Sequence, residues 1–377
     1  MEMYILKKYI NQADMRNANA ADVFALIRKM GGMTRKELAE KTGLSWGAVS
    51  TISTELLENH FIREFKCEKT QGAGRTPSRL EVNSDGYFVL GLDINASGFR
   101  AVLLNLKNEV TLSLTAAPSY TDRASLLSEI ISFIRKALCA AEDKTVLGIG
   151  IAMQGPVDAK SGVSVSLTHI RDWENVPLAK ILRAEFSLPV FVAHDPDCIL
   201  YAVSAEKVYK DAILLRVDKG IGMSVLLGGK IFDRPGMFEL GHTVAVPGGA
   251  MCACGKKGCL EGYASGHGLS RRAGKPFAEL VALCERGDKE TLALFGEMAS
   301  LLAVSVSNFA FMLQIQNVVL CGDMWNYKEF FWDTFLKSAF PSLSFSFSSV
   351  ENAATGAALI AIERLISELD FRKEDTE

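Results

Sequence analysis

Three of the chain's eight cysteines, Cys252, Cys254 and Cys259, fall within the eight-residue stretch CACGKKGC. Thiolates at C-x-C-x4-C spacing can face one centre if the chain turns tightly, and Gly255 and Gly258 supply that freedom. A structural zinc ion takes four ligands, usually Cys and His, in a closed tetrahedron. His242 stands ten residues before Cys252 and completes a Cys3His set; with five histidines in 377 residues its place carries information. The pattern favours Zn2+ over a disulfide, with a redox-sensing thiol cluster and three buried cysteines that bind nothing as the other readings. Two carboxylates flank the loop, Glu239 three residues before His242 and Glu261 two after Cys259. Carboxylates and an imidazole held rigid by a metal anchor are good acceptors for sugar hydroxyls. Away from such an anchor each Glu would be an ordinary solvated residue.

The rest of the chain must position these groups. It is 49% hydrophobic and 23% charged, enough for more than one packed core. Net charge is −3, so the whole is no polycation, but the charge is uneven. Residues 1–84 hold 13 Lys and Arg against 10 Asp and Glu, and the remainder 28 against 34. A mildly basic head on an acidic body points toward a nucleic-acid-binding module. The N-terminus lacks the apolar core and small-residue cleavage site of a secretory leader. The most apolar run, 301–315, carries Ser305, Ser307, Asn308 and Gln314 and reads as a core helix, not a membrane span. A cytoplasmic protein with reduced thiols is expected.

In the head, ADVFALIRKMGG has a helical period stopped by Gly31-Gly32. Thr34 with Glu37 forms a capping box for a short helix that ends at Gly43. Ser45 can cap the next helix, whose Val49, Ile52, Leu56 and Leu57 face inward. Trp46, Gly47, Ser50, Thr51, Ser53 and Thr54 point elsewhere. Two strands around TQGAGRTP follow. This is the order of a winged helix-turn-helix, with Ser45, Trp46, Ser50, Thr51 and Thr54 toward DNA bases and Arg75 in the wing toward a phosphate or the minor groove. A helical interaction domain with solvated Ser and Thr is the plainer reading.

From residue 85 strands alternate with helices. GYFVLGLDIN and FRAVLLNLKNEV are strands joined by the turn Asn95-Ala96-Ser97-Gly98, and residues 212–232 repeat the theme. Two such units predict a duplicated α/β body with a cleft between halves. The strand ending at His194 precedes a helix with Asp195 placed as N-cap and Pro196 in its first turn.

Residues 239–265, ELGHTVAVPGGAMCACGKKGCLEGYAS, resemble the signature of the ROK family of repressors, open reading frames and kinases. Weaker matches include LGLDINASGFRAVLLNL, GIAMQGPVD, DPDCILYAVSAE, GIGMSVLLGGKI, VVLCGD and TGAALIA, and together cover about residues 85–365. The head resembles the DNA-binding half of ROK regulators. The resemblance implies an actin-like, hexokinase-type two-lobed body with sugar and ATP in the cleft. It divides the chain into a head over 1–84, a first lobe over 85–195 completed by a C-terminal helix over 355–373, and a second lobe over 196–354 with the zinc loop. It implies zinc on His242, Cys252, Cys254 and Cys259. It further implies sugar contacts from Gly155, His194, Asp195, Glu239, His242 and Glu261, with Asp195 at the catalytic-base position, and a homodimer or homotetramer.

The sequence also departs from the kinases. Their Asp-Ile-Gly-Gly-Thr turn reads Asp93-Ile94-Asn95-Ala96-Ser97, so side chains hinder close approach of a phosphate. Their Gly-Thr-Gly-Ile-Gly turn begins with Asp218, a negative charge where a triphosphate would sit. Their adenosine-side Gly-Gly reads Cys321-Gly322, and the Asn before the base is His194. Phosphoryl transfer depends on positioning and charge stabilisation, so Asp195 reads as vestigial. The expectation is a sugar-responsive regulator of carbohydrate genes that binds operator DNA and is not an enzyme. An active sugar kinase with an added DNA-binding domain is the alternative.

Overall fold

The computed structural model describes residues 12–66, 78–96, 98–167, 170–232, 238–348 and 353–368. The chain divides into two compact units: 1–151 with 179–191 and 358–377, and 152–178 with 192–357. The head groups with the first unit. The segment 152–178, expected in the first lobe, groups with the second. Among the described residues its strands Val157–Asp158, Val163–Leu167 and Ile170–Val176 form a sheet of their own.

The head has helices Gln12–Met30, Arg35–Thr42 and Trp46–Glu58, then the antiparallel strands Ile62–Lys66 and Ser78–Val82. The inward stripe Val23, Phe24, Ile27, Leu38, Val49, Ile52 and Leu56 closes its core with Leu80. Thr34 Oγ1 accepts the Glu37 N–H while Glu37 Oε2 accepts the Thr34 N–H at 2.7 Å, and Gly43 ends the helix with φ 72°. The Thr34 N–H and then its hydroxyl hold the Glu37 carboxyl below its ordinary value. A depressed carboxyl contributes stability above its unfolded pKa and loses it as pH falls through the folded one. The Tm difference between the wild type and Glu37→Gln, measured by circular dichroism, is therefore present at neutral pH and closes as pH falls below about 4.3.

Arg28 ties the head's first helix to the first unit's body. Its Nε donates to the Leu106 carbonyl at 3.1 Å, one Nη to Glu363 at 2.6 Å and the other to the Asn108 side chain.

Each unit holds a five-stranded sheet. In the first the order is Val110–Ala116, Gly98–Asn105, Phe88–Asn95, Val146–Met153, Val190–His194. In the second it is Lys230–Ile231, Ile221–Leu227, Ala212–Val217, Asn317–Cys321, Ser344–Phe347. Numbered within each unit, both run 3-2-1-4-5: an antiparallel meander, then two strands reached by crossovers. The duplication expected from the repeated strand–turn–strand pattern is present. The run around 301–315 lies mostly in a helix, Lys289–Leu313, long and apolar enough to span a bilayer. It sends Phe295, Met298, Leu302, Ala303, Val306 and Ala310 into the second unit's core.

Candidate functional site

The loop after His242 folds on itself. Leu240–His242 is a single 3-10 turn, and Val244 then bridges Cys259 in antiparallel fashion. The Cys252 carbonyl accepts the Gly255 N–H and the Cys252 N–H donates to the Lys256 carbonyl at 2.8 Å, a tight knuckle that buries Cys252 and leaves Cys254 exposed at its tip. Gly258 cannot be replaced there: its φ is 79° and an added Cβ would stand 1.8 Å from the Val246 carbonyl oxygen.

The result gathers the sulfurs of Cys252, Cys254 and Cys259 and an imidazole nitrogen of His242 within 4.8 Å of one another. Cys254 and Cys259 sulfurs are 3.7 Å apart, as are Cys252 Sγ and His242 Nδ1. Ligands at ~2.3 Å from a tetrahedral ion stand about 3.8 Å apart, so the donor set and its edges fit one thiophilic metal ion. The thiols are held in different electrostatic settings. Burial, then the neighbouring thiols of Cys254 and Cys252, pushes the Cys259 pKa up to about 12, whereas the Lys256 N–H lowers that of Cys254.

Glu261 follows directly, as the first residue of the short helix Glu261–Ala264. Its Oε2 accepts the Ile221 N–H at 3.0 Å and lies 2.9 Å from where a Cβ on Gly220 would stand. The Cys3His loop is thus pinned to the turn 218–222, forty residues away. Glu239 precedes the 3-10 turn and is half-buried.

A second cluster forms around Arg216, in the strand Ala212–Val217. Its Nη1 donates to Asp195 Oδ2 at 2.8 Å and its Nε to Asp218 Oδ2 at 2.5 Å. Burial opposes the guanidinium charge, but Asp195 and Asp218 outweigh it and hold the group above its ordinary value. The other Asp218 oxygen accepts the Asp323 N–H, at the start of the 3-10 segment Asp323–Phe330. An added Cβ on Gly322 would stand 2.6 Å from that oxygen. An internal carboxylate therefore occupies the backbone donor of this turn. Asp195, 6% exposed, begins the helix Asp195–Glu206; the N-cap is His194, without a side-chain cap bond. The expected Asp195 cap is thus corrected by one position, because Arg216 captures the carboxylate. His194 Nε2 lies 3.5 Å from Asp195 Oδ1. Gly155 follows the strand Val146–Met153 with φ 78°. Among the described residues no hydrogen bond joins Glu239 or His242 to Asp195 or Gly155. Arg216 was not singled out from sequence, although a charged residue inside the apolar run ILLRV is a usable signal.

In the head, Ser45 Oγ accepts the Ala48 N–H and caps the helix Trp46–Glu58. Trp46, Thr51 and Thr54 are exposed and Ser50 is half-buried on one face, opposite Val49, Ile52 and Leu56; Ser53, expected outward, is instead buried beside Ile52 and Leu56, because its place on the helix falls on the core side. Arg75 and Ser97 lie outside the described residues.

Twin sheets of one topology, with a metal-ligand loop and a helix-turn-helix head, define a DNA-binding-type chain on a sugar-kinase-type body. Residues 89–363 match the ROK family, and the chain belongs to it. Residues 19–63 match winged helix-turn-helix DNA-binding domains. The xylose repressor of Caldicellulosiruptor bescii is 29% identical over 270 residues, 69% of this chain and 66% of that protein. The matched stretch thus falls short of two thirds of this relative's length. The crystal structure of a ROK family transcriptional regulator, a homologue of the Escherichia coli Mlc protein, superposes with TM-score 0.80 at 21% identity. It covers 94% of this chain and 97% of the other. A ROK glucokinase from Streptomyces griseus, in complex with glucose and AMPPNP, superposes with TM-score 0.60 at 23% identity, covering 72% and 98%. The body thus has the actin-like fold of the ROK kinases.

Proposed function

We propose that this protein is a sugar-responsive transcriptional repressor of carbohydrate-utilisation genes, cytoplasmic and not an enzyme. It binds operator DNA through residues 1–84 and a sugar through Asp195, His194, Glu239, His242, Glu261 and Gly155. Zn2+ sits on His242, Cys252, Cys254 and Cys259; with the Nδ1 side of His242 toward the thiols, Nε2 is left for a sugar hydroxyl. Family membership and the repressor relative support the class.

The observation that carries the choice between regulator and kinase is the Asp195–Arg216–Asp218 bridge. Phosphoryl transfer needs a base free to take a proton and donors free to bind phosphate oxygens. Here Arg216 engages the base-position carboxylate, and Asp218 fills the turn and its Asp323 N–H donor. The retained Asp195, together with the kinase neighbour, keeps sugar phosphorylation as the second reading.

A homodimer or homotetramer would place two heads on a palindromic operator. An exposed apolar stripe supports self-association: Val304, Phe311 and Met312 on the helix Lys289–Leu313, with Phe340 edge-on to Phe311. The test is fluorescence anisotropy with DNA upstream of the protein's own gene, excess nonspecific competitor and a panel of hexoses, amino sugars and pentoses. Competitor-resistant binding shifted by one sugar is expected. Glu239→Ala abolishes that shift and leaves DNA affinity unchanged; loss of both would make Glu239 structural. ATP-dependent phosphorylation of a panel sugar would replace this reading by the kinase.

A further inference from the structure

The face that the helix Trp46–Glu58 turns away from the head's core has an unusual chemistry. Residues 45–54 contain no Arg, Lys, Asn, Gln, Asp or Glu. Guanine is read in the major groove by paired donors from Arg or Lys, and adenine by the amide of Asn or Gln. None of these is present over the first turns, where such helices meet base edges.

The two threonine hydroxyls on this face are committed to the helix itself. Thr51 Oγ1 donates to the Gly47 carbonyl at 3.1 Å, and Thr54 Oγ1 to the Ser50 carbonyl at 3.0 Å. Ser45 Oγ accepts the Ala48 N–H as the helix cap. A threonine whose hydroxyl folds back on the i−4 carbonyl shows its methyl group outward instead. Trp46 stands beside them with 59% of its surface exposed, against the usual preference of so large an apolar side chain. Gly47, without a side chain, lets the partner approach the helix closely. The face is therefore uncharged, and around Trp46, Thr51 and Thr54 largely apolar. In the major groove the apolar counterpart is the C5-methyl of thymine, which alanine, threonine methyl and aromatic side chains contact. Phosphate contacts from the exposed Lys36 and Lys41 of the preceding helix would add affinity without sequence information.

We propose that Trp46, Thr51 and Thr54 read thymine methyl groups, so that each operator half-site is specified by thymines at the major-groove positions this helix faces. The inference rests on the reading of the head as a sequence-specific operator binder. Each methyl buried this way contributes about fourfold in affinity.

The experiment takes the full-length protein through selection from a randomised duplex pool with nonspecific competitor. The enriched duplex is then resynthesised with deoxyuridine for thymidine, which deletes methyl groups and keeps every base-pair hydrogen bond. Wild-type protein is expected to enrich thymine-bearing half-sites and to bind the uracil duplex about fourfold more weakly per contacted methyl. The Thr51→Ser/Thr54→Ser variant keeps both hydroxyls and their helix bonds but lacks the methyls, so its penalty on the uracil duplex is expected to shrink. Guanine-specified half-sites, equal wild-type affinity for both duplexes, or an undiminished penalty in the serine variant would each overturn the proposal. Failure to enrich any sequence over competitor would instead overturn the operator-binding reading beneath it.

Discussion

Cys254→Ser is expected to lower the zinc content of the purified protein from about one ion per chain to near zero. The thiolate is the softer and stronger zinc ligand, and even outer-shell partners of bound metals are worth about 10–100-fold in affinity, so losing a direct ligand costs more than about a hundredfold. The damage should spread beyond the knuckle. Val244 pairs with Cys259, Leu260 donates to the Thr243 carbonyl, and Glu261 reaches the Ile221 N–H from the first residue after that ladder. Without the metal these contacts must hold the loop alone. Sugar affinity should therefore fall with the metal, while the head's core, built from other residues, keeps its fold. Metal analysis by mass spectrometry and sugar binding by calorimetry read the two effects separately. A strong chelator should lower the Tm of the wild type and leave the variant's unmoved. Unchanged zinc content with unchanged sugar affinity would remove the metal from the account of this site.

The Cys3His cluster is legible in sequence because its four residues span eighteen positions, from His242 to Cys259, and short-range turns bring them together. The capping box of Thr34 and Glu37 is legible for the same reason: its partners are three residues apart and helix geometry fixes the rest. The twin sheets are legible because the strand–turn–strand pattern occurs twice. Contacts that depend on tertiary convergence are not. The Glu261 bond to the Ile221 N–H joins positions forty apart, and the Arg216 pair with Asp195 joins a strand to a helix end twenty-one residues earlier. Local rules make an aspartate after a strand and before Pro a helix cap; a buried guanidinium within reach offers that carboxylate a stronger, charge-assisted partner and overrides the rule. The small sheet over 157–176 escapes notice because its strands are short and rich in Ser, Asp, Glu and Arg, so burial periodicity is weak.

Arg216→Met is the most informative change in the second unit, because methionine keeps an apolar stem in the strand and removes only the cation. It leaves the buried Asp195 beside Asp218 with no guanidinium between them. Breaking a buried ion pair from one side typically costs about 3–5 kcal/mol. Arg216 keeps 24% of its side chain exposed, so solvent screens part of that and about 2–4 kcal/mol is expected in urea unfolding. The pH dependence follows from the sign of the shift. A guanidinium held above its ordinary value contributes stability at every pH below that value and loses it only as pH rises through the folded pKa. Titration of the guanidinium therefore leaves the wild-type advantage flat between about pH 6 and 9. The double variant Arg216→Met/Asp195→Asn removes the orphaned charge along with its partner. It should recover part of the loss, since replacing both partners is far milder than stranding one. If the double variant is as unstable as the sum of its parts, Arg216 and Asp195 act independently and the bridge is incidental. If the cycle shows coupling but Arg216→Met begins to phosphorylate sugars, the bridge is what silences an otherwise complete kinase. Coupling without any gain of phosphorylation fits a chain whose phosphate turn is closed by Asp218 and whose Asp195 has become an acceptor for a sugar hydroxyl.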